Sequence, residues 1–130
     1  MTVSSVIPTL RYRDARAAIR FLVDGLGFRL TASYPEDENA PVDHAELVFR
    51  DGMVMLGTAG RGEVDVPVGG ASVYLVVDTD DEVDRLHSVA VQAGAESVRR
   101  PRDEDYGGRG ASVRDSDGVT WSIGSYQPAG

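Results

Sequence analysis

Apolar and polar residues alternate over short stretches of this chain, and two longer stretches with helical spacing interrupt them. Val6 to Tyr12 reads as a strand. Asp14 then stands as the N-cap of a helix to about Asp24, with Ala18, Ile19, Leu22 and Val23 on one face and Gly25 as its stop. Phe28 to Tyr34, Ala45 to Phe49 and Met53 to Leu56 read as strands, the last two joined at Arg50-Asp51-Gly52, where Asp-Gly signals a hairpin. Pro35 to Val42 is an acidic loop flanked by prolines.

The plan then repeats. Val73 to Val77 is a strand, and Thr79-Asp80-Asp81-Glu82 forms a capping box for a helix whose buried stripe is Val83, Leu86 and Ala90. Gly94 ends that helix. Ser97 to Arg99 and Ala111 to Arg114 follow as strands, and Asp115-Ser116-Asp117-Gly118 turns into the last, Val119 to Gly124. Leu10 to Asp14 matches Tyr74 to Asp78, and Phe49-Arg50-Asp51 matches Val113-Arg114-Asp115, both at an offset of 64 residues. The chain is therefore a duplicated unit. Module one covers about residues 5–57, the linker 58–70 and module two 71–126, in a single domain spanning 1–130. The fold class is α+β, with two tandem βαβββ modules forming curled mixed sheets, or half-barrels.

Charge and composition narrow the function classes. A formal net charge of −8 repels phosphate backbones, so no nucleic acid is expected as partner, and it favours a cationic guest. No apolar run reaches the length of about 18 residues that a spanning helix needs, so no membrane is expected. The start, Met1-Thr2-Val3-Ser4-Ser5, has neither a basic segment nor an apolar signal core, and the expected location is the cytoplasm. Cysteine is absent, which removes disulfides, thiolate ligands and a Cys nucleophile.

The duplicated βαβββ order, the run from Asp14 through Gly25-Leu26-Gly27-Phe28, and the Asp115-x-Asp117-Gly118 turn resemble the vicinal oxygen chelate superfamily. That group includes glyoxalase I, extradiol dioxygenases and bleomycin-resistance proteins. The resemblance covers roughly residues 5–126 and implies a homodimer, for which open edge strands are an independent reason. It also implies metal-ligand positions on the first and last strands of each module. By strand register these fall at Ile7, Met55, Ser72 and Ser122, and the residues beside them supply no carboxylate, imidazole or amide either. Alkyl, thioether and hydroxyl groups do not displace the hydration shell of Zn, Ni, Mn or Fe(II). No metal and no cofactor is expected, and the character is closest to metal-free bleomycin-resistance-like members.

The first expectation is thus a metal-free small-molecule binder that sequesters a flat or cationic compound such as a glycopeptide antibiotic, a role in antibiotic resistance. Trp121, Met55, Met53, Tyr74, Phe49, Tyr34, Tyr106 and Glu46 are the expected ligand contacts, Trp121 foremost because it adjoins Ser122. Glu36, Asp37, Glu38, Asp43 and Glu46 can pair with a positive charge. The alternative is a glyoxalase- or dioxygenase-type lyase or oxygenase with a relocated metal. His44 and Glu46, two apart on one strand, would then carry the chemistry with Tyr106. His87 falls off the buried stripe and is expected to face solvent. Tyr106-Gly107-Gly108-Arg109-Gly110 lies between two strands and reads as a mobile turn, not a phosphate cradle.

Overall fold

A computed structural model describes residues 4–62 and 64–129. Met1 to Val3, which open the segment read as lacking a signal core, lie outside the described residues. The chain divides into two compact units, Met1–Gly69 and Gly70–Gly130, each with its own sheet, helix and core.

Module one runs β1 (Thr9–Tyr12), α1 (Ala15–Leu26), β2 (Arg29–Tyr34), β3 (His44–Phe49) and β4 (Gly52–Thr58). Its sheet has the order β1-β4-β3-β2 and is not closed; β1 is parallel to β4, and the other pairs are antiparallel. The Asp14 carboxylate accepts the Ala17 N–H at 3.1 Å, which caps α1 as the sequence predicts. The helix continues past Gly25, which is buried within it, because Leu26 extends the stripe of Ala18, Ile19 and Leu22 by one more place. Gly27 is the true stop, in the left-handed region at φ +80°, and the Phe28 N–H returns to the Leu22 carbonyl at 2.9 Å. Val23 does not belong to the stripe and is 36% exposed. The β3–β4 turn also differs from its prediction. Phe49 pairs with Gly52, so Arg50 and Asp51 are the central residues, and Arg50 takes the positive φ of +55°.

Module two runs β5 (Ser72–Val76), α2 (Asp80–Gln92), β6 (Glu96–Asp103), β7 (Arg109–Arg114) and β8 (Thr120–Gly124). The order β5-β8-β7-β6 and the strand directions copy those of module one. The Thr79 hydroxyl accepts the Glu82 N–H at 3.2 Å and lies 3.3 Å from the Glu82 carboxylate, so the two side chains face each other at the helix start. Asp80, Asp81 and Glu82 in the first turn complement the helix dipole. Strand β6 is longer than predicted and passes through Pro101, which an edge strand tolerates because it needs no ladder donor there. Its pairing with β7 shifts register twice, at Ser97/Arg99 and at Arg99/Arg102.

The duplication is real, but its offset is not constant. Leu10 and Tyr12 point into their core as Leu75 and Val77 do, and the N-caps are Asp14 and Thr79, an offset of 65 for each pair. Glu46 and Ser112 hold matching places opposite Met55 and Ser122, offsets of 66 and 67. The β7–β8 turn, one residue longer than the β3–β4 turn, accounts for the step from 66 to 67. The match of Leu10 with Tyr74 at 64 therefore pairs a core residue with one on the opposite face. Among the described residues no helix is long and apolar enough to cross a membrane.

Candidate functional site

Each sheet has one face covered by its helix and one face without a helix, and strand alternation assigns every residue to one of them. In module one α1 packs on β1, β2 and β4, and Leu10, Tyr12, Val54 and Leu56 are buried on that side, as are Ala45 and Leu47 of β3. In module two α2 packs on β6, β7 and β8, over Ala111, Val113, Trp121 and Ile123. What remains for a ligand is the helix-free face of each sheet.

On module one that face carries Met53, Met55, His44 and Glu46, with Tyr34 at the end of β2. Met55 lies between Thr9 of β1 and Glu46 of β3, and Tyr34 is the cross-strand partner of His44. The exposed Tyr34 ring stacks over the His44 ring, centroids 6.2 Å apart and planes 20° apart. His44 Nε2 is 2.8 Å from Glu46 Oε2, so the two residues do share a face, as their spacing predicts. Phe49 falls on the other side, with its ring 5.3 Å from that of the buried Phe28. Its parity with Ala45 and Leu47 decides this and removes it from the ligand surface.

The acidic loop is held by Arg16, which donates to the carbonyls of Pro35, Asp37 and Ala40 and to the Ser33 hydroxyl. Asp37 also accepts the Asn39 N–H through its carboxylate, and Asp43 pairs with Arg61 at 2.6 Å. Glu36 and Glu38 stay exposed. A cleft of about 390 Å³ opens between the start of α1 and residues 38–42, and of the acidic residues expected to meet a cation only Glu38 lines it.

On module two the helix-free face carries Ser72, Tyr74, Ser112 and Ser122. Trp121 is not among them. It is 0% exposed, on the helix side, and its indole N–H donates to the buried Asp115 carboxylate at 3.0 Å. The expectation that Trp121 meets a ligand is thereby corrected: its neighbour Ser122 takes the helix-free face, and a one-residue step along a strand reverses the side. Ser122 Oγ lies 2.8 Å from Ser112 Oγ. Tyr74 donates its hydroxyl to the Tyr126 carbonyl at 2.8 Å, and Tyr106 sets its edge against the Tyr126 ring at 5.0 Å.

Glu104 is the residue of this face that sequence patterns do not reveal. Its side chain is 7% exposed, and it receives Arg99 in a fork at 2.9 and 3.2 Å, Arg102 Nε at 3.2 Å and the Tyr106 hydroxyl at 2.5 Å. The Tyr106 hydrogen bond, helped by both guanidiniums, holds the carboxyl down to about 2, despite partial desolvation. Conversely, burial and then the Glu104 charge raise the Tyr74 phenol, so both phenols stay protonated donors at neutral pH. The strand expected from the sequence ends at Arg99, short of the two register shifts that bring Arg99, Arg102 and Glu104 together. The available signal is the charged run 99–104 around an edge-strand proline, followed by Tyr106.

A pH prediction follows from the sign of this shift. An unfolded Glu104 takes up its proton near 4.5, while the folded one resists until about 2. The stability it contributes is whole above pH 4.5 and drains as pH falls through about 2. Thermal melts of Glu104→Gln from pH 7 to 2 are expected to show a smaller acid-side decline than the wild-type chain across that window.

Two smaller expectations concern His87 and the glycine-rich turn. His87 is half-buried, not solvent-facing; its Nε2 lies 2.7 Å from Ser97 Oγ, and burial lowers its pKa although Asp84 opposes this. The glycine-rich turn carries defined contacts of its own. Glu104 and Gly108 are bonded backbone to backbone at 2.8 Å, and Arg109 bridges Asp84 and Asp103 at 2.8 and 3.2 Å.

Comparison with known proteins places this arrangement. Residues 5–123 match the family model described as the Glyoxalase/Bleomycin resistance protein/Dioxygenase superfamily. The chain belongs to that superfamily. No curated protein matches it. Among solved structures it is similar to TioX from Micromonospora sp. ML1, with 29% identity, a TM-score of 0.78, and coverage of 95% of this chain and 99% of that one. A glyoxalase-related enzyme from Fulvimarina pelagi shares 22% identity over 93% of this chain and 86% of its own, at a TM-score of 0.73. The fosfomycin resistance protein FosX from Mesorhizobium loti shares 18% over 98% and 95%, at 0.68. The last two speak to the fold alone.

The donor set does not fit the divalent metal that superfamily membership implies. Met55, Ser72 and Ser122 do lie on the helix-free faces and Ile7 just precedes β1, but Ser122 is bonded to Ser112 and the others are a thioether, a hydroxyl and an alkyl group. Glu46, across from Met55, is paired with His44, and among the described residues no third His, Cys, Asp or Glu joins them. Tyr106 belongs to the other module.

Proposed function

We propose that this superfamily member is a metal-independent small-molecule binding protein that takes a flat, cationic guest on the helix-free face of module one. The supporting observation is the grouping of Glu46 with two thioethers, Met53 and Met55, and the Tyr34–His44 stack on one sheet face. Ring planes and thioethers bury a flat molecule, and Glu46 supplies its counter-charge. In the cell this reading means sequestration, in the cytoplasm, of a compound such as a glycopeptide antibiotic, by a homodimer. Support for the dimer is that each sheet ends on two edge strands, β1 and β2 or β5 and β6.

Titration calorimetry with ethidium and bleomycin as probes tests this. Saturable binding that persists in EDTA is expected, weakened about tenfold by Glu46→Gln through loss of one charge-assisted contact. Met55→Ala is expected to weaken it several-fold. The reading is overturned if neither probe binds. It is also overturned if binding or turnover appears only after loading with Ni, Zn, Mn or Fe(II) and vanishes in His44→Ala, which is the outcome for a relocated metal enzyme.

A further inference from the structure

Gly110 and Gly124 are cross-strand partners in module two, both on the helix-free face. Each leaves a place that a side chain fills from elsewhere. A Cβ at Gly124 would strike the Tyr74 ring and hydroxyl, and one at Gly110 would press on Arg99 Nη2 and Glu104 Oε2. The glycine pair is therefore a trough in the sheet, with a phenol lying in one half and an arginine–glutamate fork in the other.

The fork is built to present cations. Glu104 is nearly buried, and both its oxygens are taken by Arg99, Arg102 and Tyr106. It can neither accept a proton readily nor bind a guest cation. What it does is hold two guanidiniums side by side against their own repulsion. Arg102 uses only Nε on Glu104, and its side chain is 65% exposed, so its Nη donors face outward. Within the fork itself two guanidiniums against one carboxylate leave one positive charge, with the exposed Asp105 next in sequence. Asp103, on the other side of Glu104, shares Arg109 with Asp84, two carboxylates on one guanidinium. Around this charge stand the exposed faces of Tyr74, Tyr106 and Tyr126, brought from β5, from the turn after β6 and from beyond β8.

We propose that the mouth of this filled trough is a binding site for an aromatic carboxylate, its carboxylate on the outward Nη donors of Arg102 beside Arg99 and its ring against the exposed tyrosines. A planar guanidinium matches a carboxylate in shape as well as charge, and fixing it beforehand lowers the ordering cost of binding. The site goes beyond the reading for module one and rests on other residues, so either can fail while the other stands. It takes a ligand of the opposite charge.

Amide NMR titration of the full chain with benzoate tests the site, with benzamide and benzamidinium as neutral and cationic controls. Saturating shifts centred on Gly108, Gly110 and Tyr126 are expected, with a dissociation constant on the order of 1 mM for so small a probe. Arg102→Gln is expected to weaken benzoate about tenfold or more, since it removes the outward charge while Arg99 still satisfies Glu104. Gly124→Ala, which pushes Tyr74 out of the trough, is expected to weaken it as well, with the amide spectrum reporting that the fold is kept. The proposal is overturned by no saturation at about 20 mM benzoate. Equal or tighter binding of either control, or unchanged affinity in a folded Arg102→Gln, overturns it too.

Discussion

Asp115→Ala is expected to cost module two about 3–4 kcal/mol, among the larger losses a single residue can cause. The Asp115 carboxylate closes the β7–β8 turn. Oδ1 accepts the N–H groups of Asp117 at 3.2 Å and Val119 at 3.0 Å, and Oδ2 accepts the Trp121 indole N–H at 3.0 Å. Val119 and Trp121 are buried, so their donors lose a partner where water does not easily reach. Asp115→Asn separates the two contributions. An amide has one oxygen and one NH2, so it can serve the turn or the indole, and the other donor then meets an N–H. About half the loss is expected. Urea unfolding followed by fluorescence is direct, because Trp121 is the sole tryptophan. A loss below about 1 kcal/mol in Asp115→Ala would show that the carboxylate is not the support of the turn.

Leu22→Ala is the second large effect, expected at about 3 kcal/mol in module one. Leu22 is fully buried on α1 between Ile19 and Leu26, and truncation removes its transfer free energy and leaves a cavity. Val23→Ala, one residue on, is expected to stay within about 0.5 kcal/mol, because Val23 faces away from the core. Thermal unfolding by circular dichroism compares the two. Equal losses would contradict this phase of the helix and restore Val23 to the buried stripe.

These two pairs mark where sequence patterns suffice and where they do not. The helical period names Ala18, Ile19 and Leu22 correctly but admits Val23, because two adjacent apolar residues at the edge of a stripe are not separated by period alone. On β8 the sequence puts both Trp121 and Ser122 at the pocket, and only Ser122 takes the helix-free face. Size and aromaticity do not say which side a residue takes; only register against β7 and the position of α2 do. In the same way Phe49 reads as a pocket aromatic and proves to pack on Phe28.

By itself the sequence determined the α+β class, the duplication, the caps at Asp14 and Thr79, and the thioether and hydroxyl side chains at Met55, Ser72 and Ser122. All of these depend on local pattern or residue type, which tertiary contacts do not alter. Tertiary structure decided what lies beside what. Two register shifts in β6 bring Arg99, Arg102 and Glu104 onto one face, and a glycine pair lets Tyr74 lie against the sheet. No period encodes such shifts, because they arise from pairing with a strand that is distant along the chain.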